Sequence, residues 1–266
     1  MAHAAEWGHW YQRDGSPCYE VPYADPSKGM RPVTLADARK LKLVPSVTTI
    51  GKEANRPALN RWQQEQVLLA ALTLPRKNGE PESEWIKRVF EDSQEQARKA
   101  AEKGTAIHAA IQNYFEDKRP AHEWYDNIPS IVVEYWEYVN GATLVLDTHF
   151  GLRHDWIAEK SFAHFLGFGG KIDLHCPIAV VDFKTTDKPL DGLKTWTEHH
   201  MQLAAYREGL KLPKAKCAIC YVSTTQPGLS RIIEVPEEDL QKGWLMFKAL
   251  LDYWYARTGL ARPSNA

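Results

Sequence analysis

The stretch from Gly169 to Thr186, GGKIDLHCPIAVVDFKTT, predicts two β-strands joined by a tight turn at its central Pro-Ile pair. Asp182 and Lys184 are two residues apart on the second strand, so their side chains leave from the same face. A turn that is symmetric about the Pro-Ile pair places Asp173 directly opposite Asp182, with Cβ atoms about 5 Å apart. The sequence therefore predicts two carboxylates and a lysine on one short hairpin.

A preceding hairpin, centred near Leu166 and Gly167, brings Glu159 beside Asp173 with matching face parity and completes a three-carboxylate cluster. Carboxylates this close repel one another unless a cation lies between them, and hard oxygen donors suit Mg²⁺ or Mn²⁺. A lysine beside them can stabilise charge on an attacked phosphate. The pattern favours a metal-dependent phosphodiesterase centre. The alternative is an ordinary strand-surface salt bridge, which contributes little.

The hydrophobic period changes after Trp156 and predicts a sheet with flanking helices. The predicted strands are Ile157–His164, Phe168–Cys176, Ala179–Lys184, Ala215–Ser223 and Ser230–Val235. The predicted helices are Thr197–Leu210 and a segment from Pro236 to about Arg257 with an acidic first turn. The fold class is therefore α/β (α+β), with a central mixed β-sheet flanked by helices.

The first half of the chain predicts an irregular and helical elaboration ahead of the sheet. Its start is rich in Pro, Gly and aromatic residues, with extended pieces at Cys18–Tyr23 and Val44–Ile50. Helical patterns cover Arg56–Leu72, Glu82–Phe90, Asp92–Phe115 and a segment from Pro129 through Tyr138. Gly104 interrupts one of them at a cost of about 1 kcal/mol relative to Ala, which predicts a packing role or a close approach there. We expect an arm (1–55), a helical region (56–140) and a core (141–266) in one integrated domain.

The composition excludes several classes of protein. The 266 residues carry a formal net charge of -1, which argues against a uniformly basic nucleic-acid coat but leaves room for a local positive groove. Four scattered cysteines do not predict a disulfide framework, and Cys217-x-x-Cys220 lies in a predicted buried strand, which disfavours a metal site there. No apolar run approaches about 18 residues and no targeting segment is recognisable, so we expect a cytoplasmic protein without membrane contact.

Five ordered motifs carry a family resemblance. They are Gly104-Thr105-x-x-His108, Glu159, Gly169-Gly170-x-Ile172-Asp173, Asp182-Phe183-Lys184-Thr185 and Gln202-x-x-x-Tyr206. Together they resemble the successive motifs of the PD-(D/E)XK nuclease superfamily, specifically its RecB-like exonuclease branch. The segment Pro45-Ser46-Val47-Thr48-Thr49-Ile50, followed by Trp62, resembles the region ahead of the core in phage-encoded and mitochondrial genome maintenance exonucleases. The resemblance implies a restriction-endonuclease-like core.

The resemblance also implies a role for each matching residue. Asp173 and Asp182 would bind the catalytic metal, Mg²⁺ or Mn²⁺, with His108 and the Phe183 carbonyl as further ligands. Lys184 would be the catalytic lysine. Glu159 would bind a second metal or orient water.

Two residues of the predicted helix 197–210 belong to the expected site. Gln202 and Tyr206 are four apart and share one helix face, from which an amide and a phenol can reach the active-site rim or a DNA phosphate. The alternative for both is helix packing. Either reading remains open from the sequence.

Candidate DNA contacts lie on both sides of the catalytic motif. They are Thr185, Thr186 and Lys188 directly after it, and Ser46, Thr48, Arg61 and Trp62 ahead of the core. Arg61 and Trp62 combine a cation with an aromatic ring, as single-strand binding requires. The alternatives are a solvated helix face for Arg61 and Trp62, and a strand or turn that packs the arm for Ser46 and Thr48.

The leading expectation is a Mg²⁺- or Mn²⁺-dependent DNA exonuclease in phage or bacterial recombination, repair or DNA processing, active in a bacterial or phage-infected host cytoplasm. A structure-selective endonuclease or nickase, and a non-catalytic DNA-end-binding module, remain as alternatives. The expected partners are single-stranded DNA or duplex ends, together with a recombination or annealing protein. The expected state is a monomer.

Overall fold

The computed structural model describes residues 9–55, 57–117, 128–151 and 154–263. Arg56, at the predicted start of a helix, lies outside the described residues. The arm is built from short elements: β1 (Trp10–Tyr11), β2 (Glu20–Pro22), a 3-10 turn (Pro26–Lys28), β3 (Met30–Pro32), α1 (Leu35–Leu41), β4 (Val44–Pro45) and α2 (Val47–Gly51). Strand β1 pairs with β4 and β2 with β3, both antiparallel.

The helical region and the core follow the arm. The helices between the arm and the sheet are α3 (Pro57–Thr73), α4 (Glu82–Glu116), α5 (Ser130–Glu134) and α6 (Trp136–Phe150). The last of them extends beyond residue 140 into the expected core segment. The core contains β5 (Ile157–His164), β6 (Phe168–Cys176), β7 (Ala179–Thr186), α7 (Thr197–Gly209), β8 (Lys216–Ser223), β9 (Ser230–Val235) and α8 (Glu237–Thr258). The order of elements predicted for the core is confirmed.

The five core strands form one mixed sheet in the order β5-β6-β7-β8-β9. Strands β7 and β8 are parallel, and every other pair in this sheet is antiparallel. A parallel pair needs a crossover connection, which α7 supplies. The predicted mixed sheet flanked by helices is therefore confirmed.

Hydrophobic cores lie on both faces of the sheet. One core joins the sheet to α2, α7 and α8 and includes Ile50, Ile172, Val180, Leu203 and Phe247. The other joins the sheet to α4, α5 and α6 and includes Ile107, Val132, Leu146, Val181 and Phe183. Successive residues of β7 enter opposite cores, so this strand is covered on both faces, as its Val-rich sequence indicates.

The sequence predicts an extended segment over Val44–Ile50. This prediction is wrong beyond Pro45, because the chain there forms helix α2. The Ser46 hydroxyl accepts a hydrogen bond from the Thr49 backbone N–H at 2.9 Å and caps α2. Such a cap satisfies one of the free N–H groups of a first helical turn, and here it outweighs the strand preference of β-branched residues. Val47 and Ile50 then both enter the core.

Three helices also differ from the sequence prediction. Helix α1, which was not predicted, begins with a reciprocal pair of hydrogen bonds between Thr34 and Asp37. Helix α4 is continuous over 35 residues where two helices were expected, since no Gly or Pro interrupts the chain near Asp92. The predicted helix from Pro129 is divided at Tyr135 (φ -109°, ψ 23°), after which α6 continues to Phe150.

All four cysteines are free thiols, in agreement with the expected reduced state. Cys217 enters the core beneath α7 and Cys220 enters the core beneath α4, so the two sulfur atoms face opposite sides of the sheet. Within the described ranges, no helix has both the length and the apolar character needed to cross a bilayer.

Candidate active site

The hairpin of β6 and β7 has the register expected from its turn. The backbone pairs are Cys176 with Ala179, His175 with Val180 and Leu174 with Val181. The next pair in this register is Asp173 with Asp182, but the ladder ends before it. The two strands therefore separate at the two acidic residues, and an opening forms between them.

The Asp173 carboxylate lies in this opening. The backbone N–H of Phe183 donates a hydrogen bond to Asp173 Oδ2 at 2.8 Å. His108 of α4 places its Nδ1 atom 3.7 Å from the same oxygen. Burial and the neighbouring Asp182 charge raise the pKa of Asp173 well above its usual range.

A rotation of β5 and β6 turns Asp173 toward β7. The pairs Ala158 with Leu174 and Lys160 with Ile172 flank a position at which Glu159 and Asp173 are opposite but unpaired. Leu174 enters the core beneath α4, whereas Ile172, two residues earlier, enters the core beneath α7. Residues two apart share a face in a regular strand, so the strand rotates at Asp173.

The partner strand rotates at the same level. Glu159 has a φ of 53°, in the left-handed region that non-glycine residues rarely adopt. Ala158 packs against the core beneath α4, and Phe162 lies in the core beneath α7. The left-handed backbone of Glu159 and the rotation of β6 at Asp173 therefore belong to one interruption of the β5–β6 ladder.

Asp182 is the most buried of the predicted site residues that carry a charge, with 2% of its surface exposed. The Lys184 ammonium lies 2.6 Å from Asp182 Oδ2. The Gln202 amide of α7 donates to Asp182 Oδ1 at 2.8 Å and to the Tyr206 hydroxyl at 3.0 Å. Burial opposes charge on Lys184, but the Asp182 and Asp173 carboxylates outweigh it and raise its pKa.

Helix α7 therefore brings Gln202 to the site and keeps Tyr206 behind it. Tyr206 is buried, and its ring lies 6.3 Å from the ring of Phe162 in an edge-to-face arrangement. Gln202 contacts Asp182 directly, whereas Tyr206 contacts Gln202. The Tyr206 hydroxyl accepts a hydrogen bond from Gln202 and lies one step further from Asp182.

His108 faces the site from α4, as the Gly104-Thr105-x-x-His108 motif predicts. Its ring lies 6.1 Å from the Phe183 ring, edge to face. Burial lowers the pKa of His108, which favours the neutral imidazole. A neutral ring nitrogen is the form that binds a metal ion.

Glu159 is near the carboxylate pair but is directed toward another residue. Its Oε2 atom contacts the Lys171 ammonium closely. Burial opposes charge on Lys171, and the Glu159 carboxylate outweighs it and raises the pKa of Lys171. Among the residues that the structure describes, no three His, Cys, Asp or Glu side chains converge closely enough to hold a metal ion. The predicted three-carboxylate cluster is thus a pair with Glu159 turned aside.

Two glycines in β6 allow other elements to approach the site. A Cβ atom at Gly169 would lie 2.7 Å from the Tyr11 side chain, and one at Gly170 would lie 2.9 Å from the Tyr206 ring. Ser46 forms an isolated backbone bridge with Gly169. The arm is therefore packed directly beside the strand that carries Asp173, which only glycine allows.

Gly104 has a similar role on the other side of the sheet. A Cβ atom at this position would lie 2.7 Å from Thr185 Oγ1. The close approach expected from the sequence is thus confirmed, and it holds α4 against the end of β7. His108, one turn further along α4, is positioned by this contact.

The candidate DNA contacts lie in different environments, and their binding role stays a prediction. Ser46 is buried and its hydroxyl caps α2, while Thr48 lines a cleft that also contains Lys184. The Thr186 hydroxyl accepts from the Lys188 backbone N–H at 3.2 Å. Thr185 contacts α4 through the Gly104 approach described above.

Arg61 and Trp62 lie on α3, outside the sheet. The Arg61 guanidinium pairs with Glu65 at 3.0 Å, and Trp62 is 39% exposed. Helix α3 packs against α4. Arg61 and Trp62 therefore lie on a solvated helix face, and no described contact joins either residue to Asp173 or Asp182.

Two residues near the site were not predicted as part of it. Lys171 holds Glu159, and Tyr11 of the arm packs on Gly169 and donates or accepts a 2.9 Å hydrogen bond with the Tyr19 hydroxyl. Lys171 precedes Asp173 by two residues, and this strand parity is a usable sequence signal. Tyr11 is 158 residues away in sequence from Gly169, and no local pattern signals that contact.

The fold and the site define an α+β protein with an acid–lysine pair, buried at Asp182 and partly exposed at Lys184, on a mixed five-stranded sheet. A comparison with protein families and with curated proteins finds no match. Among solved structures, the chain is similar to a "putative exonuclease" from Eubacterium rectale, with 16% identity and a TM-score of 0.39 over 61% of this chain and 70% of that chain. It is also similar to the protein SSO0001, with 17% identity and a TM-score of 0.26 over 55% of this chain and 72% of that chain. Scores this low assign no activity.

Proposed function

We propose that this protein is a divalent-metal-dependent nuclease that hydrolyses phosphodiester bonds in DNA, and that it acts as an exonuclease in recombination, repair or DNA processing. The observation that carries the proposal is the pair formed by the buried Asp182 and the partly exposed Lys184, held by Gln202 and placed beside Asp173 where β6 and β7 separate. Five ordered sequence motifs supply its parts.

The burial of Asp182 argues against an ordinary surface salt bridge. Taking a carboxylate out of water costs several kcal/mol, and an apolar residue of similar volume is often at least as stable at a buried position. Asp182 is 2% exposed and lies between apolar residues in the buried first part of β7. Asp173 adds a second, partly exposed carboxylate close by, and its charge repels that of Asp182. Such an arrangement is retained where the charges serve chemistry.

The donor atoms present suit a hard divalent cation. Asp173, Asp182 and the Phe183 carbonyl would hold Mg²⁺ or Mn²⁺, which bind oxygen donors. A neutral His108 would join them after a shift of its side chain, since the described residues do not bring three such side chains within reach of one ion. Asp182 Oδ2 has no aligned hydrogen bond and faces the Lys184 ammonium at 2.6 Å, so a bound cation would share this oxygen with Lys184. When bound, the cation would supply Lewis-acid activation of the phosphate.

The protein residues then divide the remaining tasks. Lys184 would stabilise negative charge that develops on the phosphate oxygens, because its ammonium is fixed beside the carboxylates before substrate arrives. Gln202 would hold Asp182 in place, and Tyr206 would hold Gln202. Phe183 fixes the orientation of Asp173 through its N–H group.

The central test uses end-labelled single- and double-stranded DNA, with either end blocked, in Mg²⁺ and in Mn²⁺. The wild-type protein should degrade DNA and lose activity in EDTA. The variant Lys184→Ala should remain folded by circular dichroism and lose at least about 100-fold in kcat, which is typical of a group that stabilises transition-state charge. Retained cleavage in a folded Lys184→Ala protein would falsify the proposal.

Lys216→Ala is the matched control. Lys216 is at the opposite end of the β7–β8 pair from Lys184, since it pairs with Ala179 while Lys184 pairs with Tyr221. The Lys216→Ala variant loses one positive charge, as Lys184→Ala does, but leaves the Asp182–Lys184 pair unchanged. Covalently closed circular DNA separates the two enzyme classes, because an endonuclease cuts it and an exonuclease does not.

A further inference from the structure

A cleft between α2 of the arm and α7 of the core opens directly onto the proposed catalytic lysine. Its volume is about 290 Å³, and Lys184 and Gln202 lie in its wall. The opposite wall carries Thr48 and Lys52 from the arm, and His199 and Glu198 complete the rim. A space of this size is at the lower end of the range for small-ligand sites, about 300–1,000 Å³, and is suited to one nucleotide.

Lys52 is the cation of this cleft that no protein carboxylate neutralises. Across the described chain, no Asp or Glu oxygen lies within ion-pair distance of its ammonium. By contrast, Lys184 is paired with Asp182, and Glu53, the next residue after Lys52, is paired with Arg257. A lysine left without a partner at the edge of a cleft is available to a phosphate.

The position of Lys52 is fixed by the backbone. Its N–H caps the end of α2 through the Thr48 and Thr49 carbonyls, and the Ser46 cap fixes the start of that helix. The Ser46–Gly169 bridge ties this turn to β6, the strand of Asp173. The arm therefore presents Lys52 to the cleft from a fixed distance to the catalytic strand.

We infer that the α2–α7 cleft is a subsite for one nucleotide of the DNA strand next to the cleaved bond, and that Lys52 binds its phosphate. This inference rests on the proposed function. The His199 ring at the rim supplies a flat face of the kind on which bases stack. Glu198 is the single acidic group in the lining and opposes the phosphate, so the two rim charges have opposite effects on binding.

The test measures binding and turnover separately. Anisotropy of a fluorescein-labelled oligothymidylate of about 20 nucleotides in EDTA gives Kd at several salt concentrations, and Mg²⁺ assays give kcat and KM. Lys52→Ala should raise Kd and KM by about tenfold and reduce the salt slope by about one contact, with kcat changed less than about twofold. Lys52→Arg should restore binding, because it keeps the charge.

Glu198→Gln should change binding in the opposite direction and lower Kd about two- to threefold, because it removes a repulsive charge. Lys216→Ala removes a positive charge at the far end of the β7–β8 pair, and its Kd should match that of the wild type. If Lys52→Ala binds with the wild-type Kd and salt slope while the wild type cleaves DNA, the subsite inference is overturned and the proposed function stands. If the wild type binds in a Lys52-dependent manner and never cleaves, the proposed function is overturned together with the placement next to a cleaved bond, and only phosphate binding by Lys52 stands. If it neither binds nor cleaves, both are overturned.

Discussion

The backbone N–H of Phe183 donates a hydrogen bond to Asp173 Oδ2 at 2.8 Å, where the ladder between β6 and β7 has already ended. A side chain thus satisfies a strand N–H that lies beyond the paired region. This contact gives Asp173 a structural task, separate from any role in chemistry. The two tasks can be separated by substitution.

Asp173→Asn should stay as stable as the wild type and lose DNA cleavage. The amide keeps an oxygen acceptor for the Phe183 N–H and removes the repulsion with Asp182, so the free energy of unfolding should stay within about 1 kcal/mol. Asp173→Ala leaves that N–H unsatisfied and should cost about 1–3 kcal/mol more. Urea unfolding of both variants at neutral pH measures the difference, and equal stabilities would contradict the assigned hydrogen bond.

Gln202→Leu should lower kcat by at least about tenfold with a smaller change in KM, because the Gln202 amide donates to Asp182 and Tyr206 and so acts mainly through Asp182. The substitution also leaves Asp182 Oδ1 buried without a donor, at a cost of about 1–3 kcal/mol in stability. Tyr206→Phe removes only an acceptor for Gln202 and should have a smaller effect on kcat. A Tyr206→Phe variant less active than Gln202→Leu would show that the phenol itself acts in the reaction.

Gly104→Ala should destabilise the protein, although alanine is the better helix former. The new Cβ atom would lie 2.7 Å from Thr185 Oγ1, which is closer than van der Waals contact. In a Thr185→Ala background this obstacle is gone, and the same change should stabilise α4 by up to about 1 kcal/mol. A double-mutant cycle on unfolding free energies should therefore give a coupling of at least about 1 kcal/mol. Additive effects would argue against the contact.

Acid should weaken the anchoring of α1 in the arm. Asp37 accepts hydrogen bonds from the Arg31 guanidinium and from Thr34, first of all from Arg31, and these hold the pKa of its carboxyl well below the usual range. A depressed folded pKa gives stability that is complete above the unfolded value of about 3.9 and is lost as pH falls toward the folded value.

The check is a comparison of the wild type with Asp37→Asn. The difference in urea midpoint should be constant above about pH 5 and should shrink below about pH 4, because the wild-type carboxylate then takes up a proton. The control is Lys28→Ala, on the exposed turn of the same arm. A difference that does not vary with pH would exclude the ionised Arg31–Asp37 pair as its source.

Much of the core could be read from the chain because its signals are local. Alternation of apolar residues predicts β5 and β6, the Val-rich run predicts β7, and the acidic first turn predicts α8. The turn between β6 and β7 is short, so its register follows from counting residues. The arm was less predictable, since the Ser46 cap overrides the strand preference of the residues that follow it.

The sequence by itself determined which chemical groups can meet: the acid–lysine spacing in β7, the parity of Asp173, and the shared helix face of Gln202 and Tyr206. Only the tertiary structure decided how they meet. Strands β5 and β6 rotate at Glu159, whose backbone is left-handed, and the Lys171 ammonium contacts the Glu159 carboxylate. The arm packs Tyr11 onto Gly169, and its helix α2 forms a cleft with α7 that has Lys52 at its edge. These outcomes depend on contacts between residues far apart in the chain, whose energies no local pattern encodes.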